Sequence, residues 1–401
     1  VEPVVVVRHL RSLVPCPTAR LHCSRRHIYK IQTMHTFRIL RVLLFWGLLL
    51  ALCSAVPFSE LQKDSCSDLG DCLNIFDQPN CKRNITMAAV KYYLWTRTNN
   101  EDLQPYQLVP HSATSLESSS FEGARPTYFL YHAWLQTGLE QWILQAKTEL
   151  LNKFDANVIA VDWSGTSFPL NYFQYFKNAP LIGERTASLI AWLNRERGLQ
   201  AAQVFMVGWA TGSHMAGFTG KLLNNQHSSF GKIARITGLS PTGPLWNDVP
   251  AEERLHKEDA TFLDVIHANG GEPIPAILAP VVGQWGLLDT IGQVNFYPNG
   301  GERQPGCSSL SETVKMCSHF RSSLYWLETI NPKPDQNEFV SWPAVGECST
   351  WDDFLQGKCT TCDPSGCPVM GFNSQQKSGY LSTRYFLKTN IASPFARGEE
   401  Q

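Results

Sequence analysis

The sequence predicts an α/β fold with a mainly parallel central sheet wound by helices. Short apolar runs of strand length alternate with longer segments carrying apolar residues at helical spacing, as parallel strands with right-handed crossovers require. Asn157-Val-Ile-Ala-Val-Asp162 is almost continuously apolar, as expected of a strand buried on both faces. Val204-Phe-Met-Val-Gly-Trp-Ala-Thr-Gly-Ser-His-Met-Ala-Gly217 reads as a buried strand, a tight turn and a helix.

Along the chain, Val90–Arg97 reads as a strand ending in a polar turn. Thr127–Tyr131 is a second strand, and the loop His132-Ala-Trp134 follows it. A helix is expected near Leu139–Leu151 and another over Leu181–Arg197, with the 157–162 strand between them. After the strand–turn–helix come strands over Ile233–Leu239 and Phe262–His267. Residues 340–372 are rich in cysteine, glycine and proline, and are expected to form an extended, disulfide-pinned C-terminal segment.

The turn at Gly208-x-Ala210-x-Gly212 has glycines spaced as in a nucleophile elbow, a turn that lifts one hydroxyl above a sheet. Its apex is alanine, which has no oxygen. The frame of a serine hydrolase is present without its nucleophile.

Composition narrows the class. With 43% hydrophobic residues and a formal net charge of −1, the chain can bury a sizeable core, and nothing points to nucleic acid. Ser115–Ser120 is only a short polar loop. From Met34 the pattern of a secretory signal peptide follows: basic His35–Arg41, apolar Val42–Leu52 and small residues at Cys53-Ser54-Ala55. That apolar run is shorter than the roughly 20 residues a membrane span needs. The expected organisation is a leader or translation artefact over 1–33, a signal peptide over 34–55 and a disulfide-bearing extension over 56–86. The α/β domain then covers 87–396, with a polar tail at 397–401. Asn84-Ile-Thr86 is a glycosylation acceptor, consistent with a secreted, extracellular protein.

Of the twelve cysteines, Cys16, Cys23 and Cys53 precede the expected cleavage point. Local spacing suggests disulfides Cys66–Cys72, Cys307–Cys317, Cys348–Cys359 and Cys362–Cys367, in keeping with the secretory route. Cys81 is left as a free thiol or the link of a disulfide-bonded dimer. Zinc at Cys359-x-x-Cys362 is disfavoured, since no histidine follows His319.

These residues resemble the secreted animal lipases of the pancreatic lipase family, particularly arthropod members without a C-terminal β-sandwich domain. The resemblance runs from about Cys66 to about Ala396. It rests on Val161-Asp-Trp-Ser164, Gly238-Leu-Ser-Pro-Thr-Gly-Pro244, Phe262-Leu-Asp-Val-Ile-His-Ala-Asn-Gly-Gly271 and Tyr297-Pro-Asn-Gly-Gly301. Pro305-Gly-Cys307, Cys317-Ser-His-Phe-Arg-Ser322 and the cysteine ladder Cys348–Cys367 also fit. It implies an α/β-hydrolase fold.

The resemblance places the nucleophile at Ala210 and the acid at Ser240, both lost, and the base at His319, retained. A neutral serine can accept a hydrogen bond from imidazole but cannot stabilise imidazolium as a carboxylate does. The oxyanion hole would use the backbone N–H groups of Thr211 and Trp134, and main-chain donors are expected to survive side-chain changes. Ala133 stands where the family usually has glycine, and its Cβ is expected to disturb that loop. Ser213 should point away from the apex, so rescue by Thr211 or Ser213 is not expected. His319 is read as a leftover histidine bonded locally or to Ser240. His214 and His267 are read as framework residues.

The family often carries a calcium loop after the acid strand. Here Asp259 survives as one oxygen ligand, but His256 and Ala251 replace carboxylates, leaving Glu252 or Glu253 to compensate. Calcium is therefore an option at a degraded site, and no cofactor is required. Trp134, Phe168, Tyr172, Phe173, Tyr175, Phe176 and Trp209 are candidates for lining an apolar lipid cleft, with three or four expected to do so. The lid Ser308–Met316 is short, which in the resembled family goes with phospholipase-like specificity.

The reading is an inactive, secreted family member that binds a lipid or other apolar molecule at a peripheral lipid surface, binds a protein partner, or serves storage as lipase-like insect yolk proteins do. The alternative is an active triacylglycerol lipase or phospholipase A1-type ester hydrolase in lipid catabolism.

Overall fold

The computed structural model describes residues 89–166, 172–247, 249–271, 284–308, 311, 316–375 and 380–399. The chain divides into units 1–57 and 58–401, and all described residues belong to the second. The expected signal peptide, the extension with Cys66, Cys72, Cys81 and Asn84, Phe168 and most of the lid lie outside the described residues.

Among the described residues the strands are β1 (Lys91–Trp95), β2 (Tyr106–Leu108), β3 (Thr127–Tyr131), β4 (Asn157–Asp162), β5 (Val204–Trp209), β6 (Arg235–Leu239), β7 (Phe262–Ile266), β8 (Val294–Pro298), β9 (Trp342–Pro343) and β10 (Arg384–Leu387). They form one sheet in the order β2-β1-β4-β3-β5-β6-β7-β8-β10-β9. From β4 to β10 every pairing is parallel, and antiparallel strands close both edges. The fold is the expected α/β-hydrolase arrangement. All residues of β3, β4, β7 and β8 are buried, so helices must cover both faces.

Six α-helices are described: α1 (Ala113–Glu117), α2 (Gln141–Lys153), α3 (Tyr172–Arg197), α4 (Thr211–Gln226), α5 (Cys317–Glu328) and α6 (Trp351–Leu355). One core cluster packs α3 and α4 on the sheet through Ile182, Leu189, Met215 and Leu223. A second packs α2 and α5 through Trp142, Ile143, Leu150, Tyr325 and Trp326. Helices α3 and α4 approach so closely that a Cβ on Gly183 would fall 2.5 Å from the Phe218 Cβ. No helix among the described residues is long and apolar enough to cross a membrane.

Three differences from the sequence reading stand out. Helix α3 begins at Tyr172, ahead of the expected Leu181, because Pro180 sits inside it without ending it. Strands β2, β8, β9 and β10 and helices α1 and α5 are additional; α1, capped by the Ser112 side chain, takes in the start of the Ser115–Ser120 stretch expected to be a polar loop. Residues 340–372 are pinned by Cys348–Cys359 and Cys362–Cys367 as expected, but they are more than extended chain. They contain β9 and α6, and Trp342, Phe354, Cys348 and Cys359 form a small core with Tyr297 and Phe386.

Candidate active site

Strand register builds the site. Trp209 of β5 pairs with Leu239 of β6, so the residues that leave the two strand ends, Ala210 and Ser240, emerge side by side. Ala210 N–H donates to the Leu239 carbonyl at 3.0 Å, and Ser240 N–H to the Ile266 carbonyl at 2.7 Å. Ala210 caps the N-terminus of α4 with φ 53° and ψ −120°, a conformation L-residues rarely adopt. The two glycines make the turn possible by closeness. A Cβ on Gly208 would meet the Gly212 carbonyl oxygen at 2.4 Å, and one on Gly212 the Tyr131 carbonyl oxygen at 2.4 Å. The strained elbow is therefore complete, and it presents a methyl group that is 5% exposed.

His319 arrives from the first turn of α5, whose first residue Cys317 is bridged to Cys307. Its Nδ1 lies 3.1 Å from Ser240 Oγ, both groups buried. Trp209 holds the same helix by donating from Nε1 to the His319 carbonyl at 3.1 Å, with its ring 5.5 Å from the imidazole. Burial pushes the His319 pKa down to about 3, so the ring is neutral. A carboxylate could only accept from Nδ1 and would fix the other nitrogen as the basic one. A serine hydroxyl both donates and accepts, so that tautomer is no longer imposed.

The other residues fall where packing needs them. Ser213 Oγ donates back to the Gly208 carbonyl at 2.7 Å, away from the apex as expected. His214 stacks on Trp246 at 4.4 Å and bonds the Thr242 carbonyl, while His267 stacks on Tyr297 at 4.5 Å and bonds the Leu287 carbonyl. Both are framework residues. His132 stacks on Trp163 at 4.5 Å and lies 3.3 Å from Asp162, fixing the loop that carries Trp134. Ala133 is accommodated, contrary to expectation. Its N–H is bonded to Gln136 Oε1 and its side chain is buried in the second core cluster.

Several expectations need correction. The Trp134 N–H does not stand open, because it donates to Thr211 Oγ1 at 2.9 Å. Tyr172 is buried, donating from its hydroxyl to the Pro244 carbonyl, and Trp209 is buried against His319 and Phe320, so both are core residues and not open cleft wall. Tyr175 is likewise buried. Trp134 and Phe176 remain half-buried, and the Phe173 side chain is outside the described residues. At the degraded calcium loop, the Asp259 carboxylate is taken by Lys221 Nζ at 2.5 Å and the His256 N–H at 2.8 Å, so an ammonium stands against the one surviving acid. No cluster of three or more metal-ligating side chains occurs among the described residues. A cavity of about 490 Å³ lies beside Asn299, Glu302, Arg303 and Trp351, and its walls include none of the triad positions.

Thr211 is what sequence reasoning missed. Its main-chain role was legible from the elbow spacing; its hydroxyl contact spans 77 residues of chain and had no local signal.

Comparison with known proteins agrees with this frame. The family profile described as Lipase matches residues 66–395. Pancreatic triacylglycerol lipase of Myocastor coypus is 32% identical over 329 residues, covering 78% of this chain and 67% of that protein. Hepatic triacylglycerol lipase of Oryctolagus cuniculus is 32% identical over 332 residues, covering 78% and 62%. Inactive pancreatic lipase-related protein 1 of Canis lupus familiaris is 32% identical over 327 residues, covering 77% and 65%. The chain thus spans about two thirds of the length of the relatives it matches. Among solved structures, esterase PE8 superposes on 39% of this chain and 74% of its own with 20% identity and a TM-score of 0.28, too partial to carry an argument. With a match over most of its length and the strand–elbow–helix frame in place, this chain belongs to the lipase family.

Proposed function

We propose that this chain is a catalytically silent lipase-family protein whose role is to bind a lipid or another apolar molecule. One observation carries the reading: the apex of a fully formed nucleophile elbow is Ala210, and among the described residues neither neighbouring hydroxyl, Thr211 nor Ser213, replaces its missing oxygen. Ester cleavage by this route needs a nucleophile within hydrogen-bond reach of the base. Ser213 is turned back to Gly208, and Thr211 is engaged with Trp134. Ser240 supports the same reading, since it leaves His319 without a carboxylate partner.

Sequence identity does not decide activity here. Proteins named as triacylglycerol lipases and one named as inactive match this chain equally, at 32%. The alanine at the elbow apex supports the silent reading.

Half-buried Trp134 packs against Tyr172 and Trp285, with Leu135 beside it 55% exposed, which supports apolar recognition. The three C-terminal disulfides support an oxidising, extracellular setting, in which Asn84 would carry a glycan and Cys81 could link two copies. Calcium plays no part in this proposal, because Lys221 neutralises Asp259. The test is mass spectrometry of lipid extracted from the purified chain, with titration by a fluorescent fatty acid. Stoichiometric retained lipid supports the reading. Lipid-free protein that does not bind the probe would leave protein binding or storage as its role.

A further inference from the structure

The loop after β3 and the start of α4 are joined by a side chain. The Trp134 N–H donates to Thr211 Oγ1 at 2.9 Å, and Thr211 is 1% exposed. In a strand–elbow–helix hydrolase site, a developing oxyanion is held by two main-chain N–H groups. One belongs to the residue after the apex and the other to the loop after the third strand. In this chain those are the N–H groups of Thr211 and Trp134. The residue that supplies one donor therefore consumes the other with its own hydroxyl.

The geometry resists reopening. Thr211 begins α4, and its β-branched side chain has few rotamers in a helix. Swinging the hydroxyl away would leave a buried polar group without its partner. An oxyanion arriving at this position must displace that contact before it can bind Trp134 N–H. Strand register reinforces the arrangement, since Tyr131 of β3 pairs with Gly208 of β5 and holds the two loops together.

We infer that Thr211 is a third silencing residue. Its hydroxyl closes the anion-holding position, so restoring a serine at 210 and an aspartate at 240 does not by itself restore efficient ester cleavage. This rests on the reading of the site as a silenced hydrolase centre. A further consequence is that one of the two donors that would read a ligand's carbonyl or carboxylate is occupied, which shifts recognition toward its apolar body.

The test compares Ala210→Ser/Ser240→Asp with the same variant carrying Thr211→Val, using p-nitrophenyl butyrate. Valine keeps the branched shape and removes the acceptor. The expected result is a kcat about 10²-fold higher in the triple variant, with KM little changed, the scale of one oxyanion donor. Thr211→Ala gives the same comparison should the valine variant fail to fold. Equal turnover of double and triple variants overturns the inference. So does a lower kcat in the triple variant, which would mean that the threonine hydroxyl itself donates to the oxyanion. The unmodified chain, assayed alongside, tests the underlying reading separately: turnover with Ala210 in place sinks that reading whatever Thr211 does.

Discussion

Ser240 Oγ and His319 Nδ1 face each other across 3.1 Å in the protein interior. This pair has the geometry of an acid–base couple but not its charge. Burial alone sets the imidazole, and no adjacent carboxylate offsets the cost of protonating it. His319 should therefore stay neutral in the folded protein down to about pH 4, followed by the NMR shift of its Cε1 proton. In Ser240→Asp the titration should move up by one unit or more, the size of a close opposite charge. A wild-type midpoint near 6.5 would contradict the account.

The elbow keeps its strain although it presents no hydroxyl. Ala210 holds φ 53° and ψ −120°, which costs a non-glycine residue about 1–3 kcal/mol. Ala210→Gly releases that strain and gives back roughly 0.4–1 kcal/mol through the looser unfolded chain. The expected net effect is a stabilisation of about 1 kcal/mol in urea unfolding.

Asp264 is fully buried and receives Arg235 Nε at 2.7 Å and Nη2 at 2.8 Å, while the same guanidinium donates to the carbonyls of Gly371 and Phe372. This pair ties β6 to the end of the C-terminal segment. Asp264→Ala removes the counter-ion of a partly buried guanidinium that keeps its two carbonyl contacts, and also the acceptor of Thr237 Oγ1, and should cost about 3 kcal/mol. Equilibrium unfolding measures it.

Acid should destabilise the fold through its histidines. Burial lowers His214 to about 3, His267 to about 4 and His319 to about 3, against about 6.5 when unfolded. Their contribution is complete above about pH 6.5 and is lost as pH falls from there through about 4 for His267 and about 3 for His214 and His319. Asp259 has the opposite sign. Burial raises it to about 6 against the pull of Lys221, so its contribution is present below about pH 3.9 and lost as pH rises through 6. Three groups outweigh one. Near pH 5 these four groups imply uptake of about two protons on unfolding, or ~3 kcal/mol per pH unit. Urea midpoints at pH 7, 6 and 5 test the sign.

The parallel core was legible because its strands are buried on both faces and so are apolar throughout, as in Asn157–Asp162. Glycine spacing likewise revealed the elbow, since the close approaches at Gly208 and Gly212 leave no room for a Cβ. Edge elements were not legible: β9 has two residues and β2 three, too short for any periodic signal. The aromatics misled because ring-rich sequence looks the same in a core and in a cleft. Only tertiary contacts show that Trp209 braces His319 and that Tyr172 reaches the Pro244 carbonyl. Thr211 and Lys221 were missed for the same reason, since each makes its decisive contact with a residue distant in sequence.

The central claim is that the elbow has lost its chemistry. The most direct measurement is hydrolysis of p-nitrophenyl butyrate and of phospholipid by the purified chain, beside its His319→Ala variant. The account predicts no turnover above buffer in either protein. Turnover that co-purifies with the chain and disappears in His319→Ala would contradict it, because His319 would then be serving a nucleophile that Ala210 cannot supply.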